Sequence, residues 1–124
     1  MLIPTPTRIL VATTPVDLRK SIDGLAALVE LQLGERALSG AMFVFVNRRR
    51  SGLKLLVWDH GGFVLVYKKL EQGRFRLPQV DGDRVNVTPA ELAAIFEGID
   101  LSKARRLRRW APPTNPIAPS NKLW

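Results

Sequence analysis

Thirteen cationic side chains come in clusters along this chain of 124 residues, and clusters of that kind suit phosphate. Arg48, Arg49 and Arg50 stand together in Asn47-Arg48-Arg49-Arg50-Ser51-Gly52, and Lys54 follows two residues later. Lys68 and Lys69 end an apolar run, and Arg74 and Arg76 flank Phe75. Lys103, Arg105, Arg106, Arg108 and Arg109 crowd together just before Trp110. Each cation set against a sugar-phosphate backbone releases condensed counterions, which drives sequence-independent binding. The guanidinium fork suits phosphate better than an ammonium does, and an indole beside arginines suits a stacked base. The other reading of Arg48–Arg50 is an ordinary solvated turn, and that of residues 103–109 is a basic tail that binds nothing specific. No helix-turn-helix pair or zinc finger stands out, so backbone contact is expected ahead of base reading.

Other chemistry has little to stand on. Trp58-Asp59-His60 sets an acid beside a base, but neighbours on a hairpin are expected to point apart, and Asp, His and Gly are ordinary turn residues. Asp59 is expected to cap the loop backbone. Metal-dependent phosphoryl transfer needs several convergent carboxylates. Here Asp17 reads as a helix-start residue, Asp81 and Asp83 flank a turn, and Glu91 completes a helix cap. With no cysteine, disulfides and thiolate metal sites are excluded, and with His60 the one histidine a histidine-built zinc site is not expected. No catalytic residue, metal or cofactor is expected.

The elements that must position the cations can be read from pattern. Residues 8–13 form a short strand. Thr14, Pro15 and Asp17 predict a helix start, with Leu18, Ile22, Leu25 and Val29 at helical spacing and Gly34 as the stop. Strands are predicted at 42–46, 53–58 and 63–70, with Asp59-His60-Gly61-Gly62 as a tight loop, then at 74–77 and 84–87. Thr88-Pro89-Ala90-Glu91 is a capping box opening a second helix with apolar Leu92, Ile95, Phe96 and Ile99. Hairpin geometry gathers Lys68 and Lys69 at the same end as the Arg48–Arg50 turn.

The expected fold is therefore α+β: an antiparallel meander of about five to six strands with two helices, the first on one sheet face. Leu53, Leu55 and Val57 share one face and Leu56 and Trp58 the other, so both faces are apolar. The second face needs covering by more chain or by a partner, which leaves a homodimer open. Residues 1–100 are expected to form one domain and residues 101–124, rich in Arg and then Pro, an extended tail.

Nineteen Lys and Arg against eleven Asp and Glu give a formal charge of +8, which favours a polyanionic partner. No apolar run approaches the roughly 20 residues of a membrane span, and the N-terminus lacks the basic segment of a secretory leader. With the absence of cysteine, this points to the cytoplasm.

The order and spacing of Phe43-Val44-Phe45-Val46-Asn47-Arg48-Arg49-Arg50, Lys54-Leu55-Leu56-Val57-Trp58-Asp59, Gly62-Phe63 and Lys68-Lys69-Leu70-Glu71-Gln72-Gly73-Arg74-Phe75 resemble a known family. It is the second-open-reading-frame accessory protein, or TnpB, of insertion-sequence family 66. Asp17 to Leu25 and Thr88 to Ile99 extend the resemblance, which runs from about residue 3 to about residue 100. It implies membership of a transposition operon whose DDE transposase is a separate protein. The RNA-guided nuclease that shares the TnpB name is a different protein. The family supplies no established catalytic residues; Arg49, Arg50, Lys54, Trp58, Asp59 and Lys69 fall on its motifs and are candidates for binding. The expected partners are DNA at the transposon ends, the transposase and other element-encoded proteins. The expected role is a DNA-binding auxiliary that helps assemble the transposase on the element ends; the alternative is an adaptor that binds the transposase or another auxiliary without contacting DNA.

Overall fold

The computed structural model describes residues 6–98. In chain order it contains β1 (Ile9–Ala12), α1 (Ile22–Leu31), β2 (Met42–Val46), β3 (Gly52–Asp59), β4 (Gly62–Lys69), β5 (Arg84–Val87) and α2 (Pro89–Glu97). The five strands make one sheet in the order β4-β3-β2-β1-β5. The α+β class stands, but the sheet is mixed. β2, β3 and β4 form the expected meander, whereas β1 pairs parallel to β2 with Ile9 opposite Met42, and antiparallel to β5. The cause is α1, which carries the chain back across the sheet so that β2 starts at the same end as β1.

Each face has its own core. Leu25, Leu28 and Val29 of α1 bury against Leu10, Phe43, Phe45 and Leu56. On the other face Ile9, Val11, Val44, Leu53, Leu55 and Val57 are covered by Phe75, Leu77 and Ile95. The chain itself thus covers the second apolar face. Burying each such aliphatic or aromatic side chain contributes about 1.5–3 kcal/mol before entropy.

Two predicted elements differ. α1 opens at Ile22 behind Ser21, not at Pro15. The Asp17 carboxylate accepts from the Arg19 N–H and guanidinium instead of reaching back to a helix cap, and the Val16 N–H donates to the Val46 carbonyl, holding the segment against β2. Residues 74–77 form no strand. β4 and β5 lie at opposite edges of the sheet, so residues 70–83 must cross the sheet's width as a strap. The Phe75 N–H donates to the Arg50 carbonyl, and farther on the Thr13 N–H donates to the Asp83 carbonyl.

The α2 cap has the expected form. Thr88 Oγ1 accepts from the Glu91 N–H, and the Glu91 carboxylate accepts from the Thr88 N–H. The tail expected at 101–124 lies outside the described residues.

Candidate nucleic-acid interface

Residues 47–52 connect β2 to β3 through a turn fixed by one side chain. Asn47 Oδ1 accepts from the Ser51 and Gly52 N–H groups at 2.9 and 3.1 Å, and its Nδ2 donates to the Ser51 hydroxyl at 3.1 Å. The Arg50 N–H returns to the Asn47 carbonyl, which places Arg50 at a φ of +58°. Arg48 and Arg49 are exposed and Arg50 half-buried.

Neighbouring elements bring more cations to this end. Lys69 pairs with Gly52 across the β3–β4 ladder, and the Leu70 N–H donates to the Ser51 carbonyl. Phe75, bonded to Arg50, is fully buried, so the extended strap turns exposed Arg74 and Arg76 outward on either side of it. Arg48, Arg49, Arg50, Lys69, Arg74 and Arg76 therefore share one end of the sheet. None of the six forms an ion pair among the described residues. This matters because thirteen Lys and Arg and ten Asp and Glu fall within 6–98, a net of only +3.

Two expected members are engaged elsewhere. Lys54 Nζ donates to the Lys20 carbonyl at 2.9 Å and lies over the Tyr67 ring. Lys68 faces the opposite side of the sheet and donates to the Phe96 carbonyl at the end of α2. Lys103, Arg105, Arg106, Arg108 and Arg109 lie outside the described residues.

Three other arginines, Arg8, Arg19 and Arg84, are paired with acids. Arg19 grips Asp17 and holds its carboxyl down at about 2 from an ordinary 3.8, chiefly through the side-chain hydrogen bond. Arg84 likewise lowers Asp83, and Glu35 bridges Arg8 and Arg84. Asp59 does not cap the loop backbone: its carboxylate meets the His60 ring at 2.8 Å. His60 has a φ of +44° in the two-residue turn, which swings the ring back onto its neighbour instead of apart from it.

Two shallow depressions flank the turn and share Pro15 as a wall. One, of about 460 Å³, is lined by Leu18, Arg19, Asn47, Arg48 and Tyr67. The other lies between Thr13, Arg50 and the Pro78–Gly82 part of the strap. Arg48 and Arg50 thus serve opposite sides of one ridge. Sequence reasoning does not single out Arg19, Asn47 or Tyr67 for the site. The signal available for Tyr67 is an aromatic directly before Lys68-Lys69 at the end of an edge strand.

Residues 7–106 match the model of the IS66 Orf2-like protein family. The uncharacterized protein y4jC of Sinorhizobium fredii is 37% identical over 99 residues, covering 80% of this chain and 85% of the relative. The uncharacterized protein y4hO of the same organism is 37% identical over 93 residues, covering 75% and 81%. No solved structure matches. With four-fifths of the chain inside the family model, and the Arg48–Arg50 turn and both helices within that span, this chain belongs to the IS66 Orf2-like family of insertion-sequence accessory proteins.

Proposed function

We propose that the protein is a transposition auxiliary that binds DNA by phosphate contact and helps assemble the separate transposase on the element ends. The observation that carries this reading is the group of six cations at one end of the sheet, none spent on a carboxylate among the described residues. A rigid turn presents three of them, a β-strand end presents one and a strap tied to that turn presents two. Such a ridge meets successive phosphates without first ordering a loop, which lowers the entropic cost of binding. Family membership supplies the setting of a mobile element.

The test is a gel shift over a salt series, with the wild type and the Arg48→Ala/Arg49→Ala/Arg50→Ala triple variant. Affinity for DNA should fall steeply with salt. The triple variant should have a shallower slope by about 2–3, near 0.9 for each phosphate it no longer neutralises. Absent binding at low salt, or equal slopes, would count against it.

The second reading, an adaptor without DNA contact, draws on the outer edge of β4. This eight-residue strand ends the sheet, paired with β3 on its inner side and with no strand on its outer side among the described residues. An exposed strand edge takes an added strand from a partner. A transposase pull-down that survives nuclease treatment favours it, and loss of the complex on treatment favours DNA as the link.

A further inference from the structure

We infer that Tyr67 is a stacking platform for one unpaired nucleobase, so that the nucleic acid held at the Arg48–Arg50 end is single-stranded. This rests on the DNA-binding reading and narrows it to a substrate class. Among the described residues, Tyr67 is the one aromatic ring among the large apolar side chains left exposed, at 54%. The other exposed ones are Leu31, Leu38 and Val80. Trp58 and Phe63, by contrast, lie edge to face at the far end of the β3–β4 hairpin.

The ring is held in place by Gly52 beneath it and by Lys54 over one face. Gly52 lies under it: a Cβ there would come within 3.3 Å of Tyr67 Cε1 and 3.2 Å of Leu18 Cδ1. The absence of a side chain at 52 lets the ring approach the backbone of the basic turn. Lys54 Nζ sits 5.2 Å from the ring centre, fixed by its bond to the Lys20 carbonyl. A positioned aromatic loses little rotational freedom when a base stacks on it.

The surroundings suit a nucleotide. Tyr67 walls the 460 Å³ depression together with Arg48, Arg19 and Asn47, and that volume is in the range of small-ligand sites. Asp17, the acid in the depression, is neutralised by Arg19, so it does not repel a phosphate. Lys69, two residues from Tyr67 on the same face of β4, and Arg48 across the depression flank the ring. A base on the ring would have Arg48 and Lys69 beside it for its flanking phosphates. In a paired duplex the base faces are already stacked, so only an unpaired strand can use this ring.

The test uses the full chain, a short oligo-dT strand with one central 2-aminopurine, and the matching duplex. The single strand should bind more tightly than the duplex, with quenching of the 2-aminopurine on binding. Tyr67→Leu, which keeps apolar bulk over Gly52, should lose the quenching and about tenfold in single-strand affinity, with duplex affinity unchanged. Tyr67→Phe should behave as wild type. Equal loss on both substrates, or none on either, overturns the stacking role and leaves phosphate binding standing. Failure of both substrates to bind at low salt overturns the underlying reading as well.

Discussion

Lys68 Nζ donates to the carbonyl oxygen of Phe96 at 2.7 Å and lies 4.6 Å from the centre of the same residue's ring. One ammonium thus ties the end of α2 to edge strand β4. The carbonyls at a helix C-terminus have no partner within the helix and carry partial negative charge. Gly98, at a φ of +85°, ends the helix there in the left-handed conformation. Two adjacent lysines on one strand therefore do different work: Lys69 shares the cationic end, while Lys68 fastens a helix.

Lys68→Met keeps the aliphatic stem and removes the charge. It should lower stability by about 1–2 kcal/mol, read as a shifted urea midpoint, because a charged hydrogen bond and a favourable helix-end interaction vanish together. The salt slope of DNA binding should stay at the wild-type value. Lys69→Met should reverse the pattern, with unchanged stability and a slope smaller by about 0.9. A stable Lys68→Met that binds DNA poorly would show that both lysines face the nucleic acid.

Much of this fold is legible in the chain, and the exceptions have physical causes. β2 and β5 fall where apolar runs and β-branched residues put them, and α2 starts where Thr88 and Glu91 satisfy each other. The start of α1 is misleading because Thr14-Pro15-Asp17 has the composition of a cap, while the Val16–Val46 backbone bond claims that segment for the sheet. Arg74-Phe75-Arg76-Leu77 alternates as a strand does, yet topology makes it a strap, since local alternation does not report whether a strand neighbour exists. Lys68 looks equivalent to Lys69 in sequence because its partner, Phe96, lies 28 residues away. The pairing of Arg48 and Tyr67 around one depression is likewise a tertiary fact.

Asp17 should titrate visibly low. The Arg19 guanidinium and N–H stabilise its carboxylate, moving it from 3.8 to about 2. A folded-state value below the unfolded one means the pair adds stability above that range. The contribution then disappears as pH falls from about 4 to about 2. Asp17→Asn should therefore melt below wild type at pH 7 and together with it near pH 2, by a margin that solvent screening of this exposed pair keeps small. Carboxyl carbon NMR gives the direct reading, and Arg19→Leu should move the midpoint upward. A wild-type midpoint at or above 3.8 would contradict the pairing.

Asn47 should govern both stability and binding. Its side chain makes three hydrogen bonds inside the turn, none replaceable by alanine. Asn47→Ala should cost about 2 kcal/mol and weaken DNA binding as the arginines lose their frame. Asn47→Asp keeps the acceptor for the Ser51 and Gly52 N–H groups and should lose less stability than alanine. An alanine variant as stable as wild type would mean the turn is set by the sheet alone.

Arg50 offers a way to separate charge from folding. Its φ of +58° is unfavourable for any residue with a Cβ, and the backbone bonds to Asn47 and Phe75 pin it there. Arg50→Gly and Arg50→Ala remove the same guanidinium, but only glycine adopts that φ without steric cost. The glycine variant should be the more stable of the two by about 1 kcal/mol, less what glycine loses in unfolded-state entropy. If Arg50 contacts phosphate, both should lose the same DNA affinity and the same increment of salt slope despite their different melting points. Affinities that follow stability would mean Arg50 acts only through the shape of the turn. Wild-type affinity in both would remove Arg50 from the interface and leave Arg48 and Arg49 as the turn's contribution.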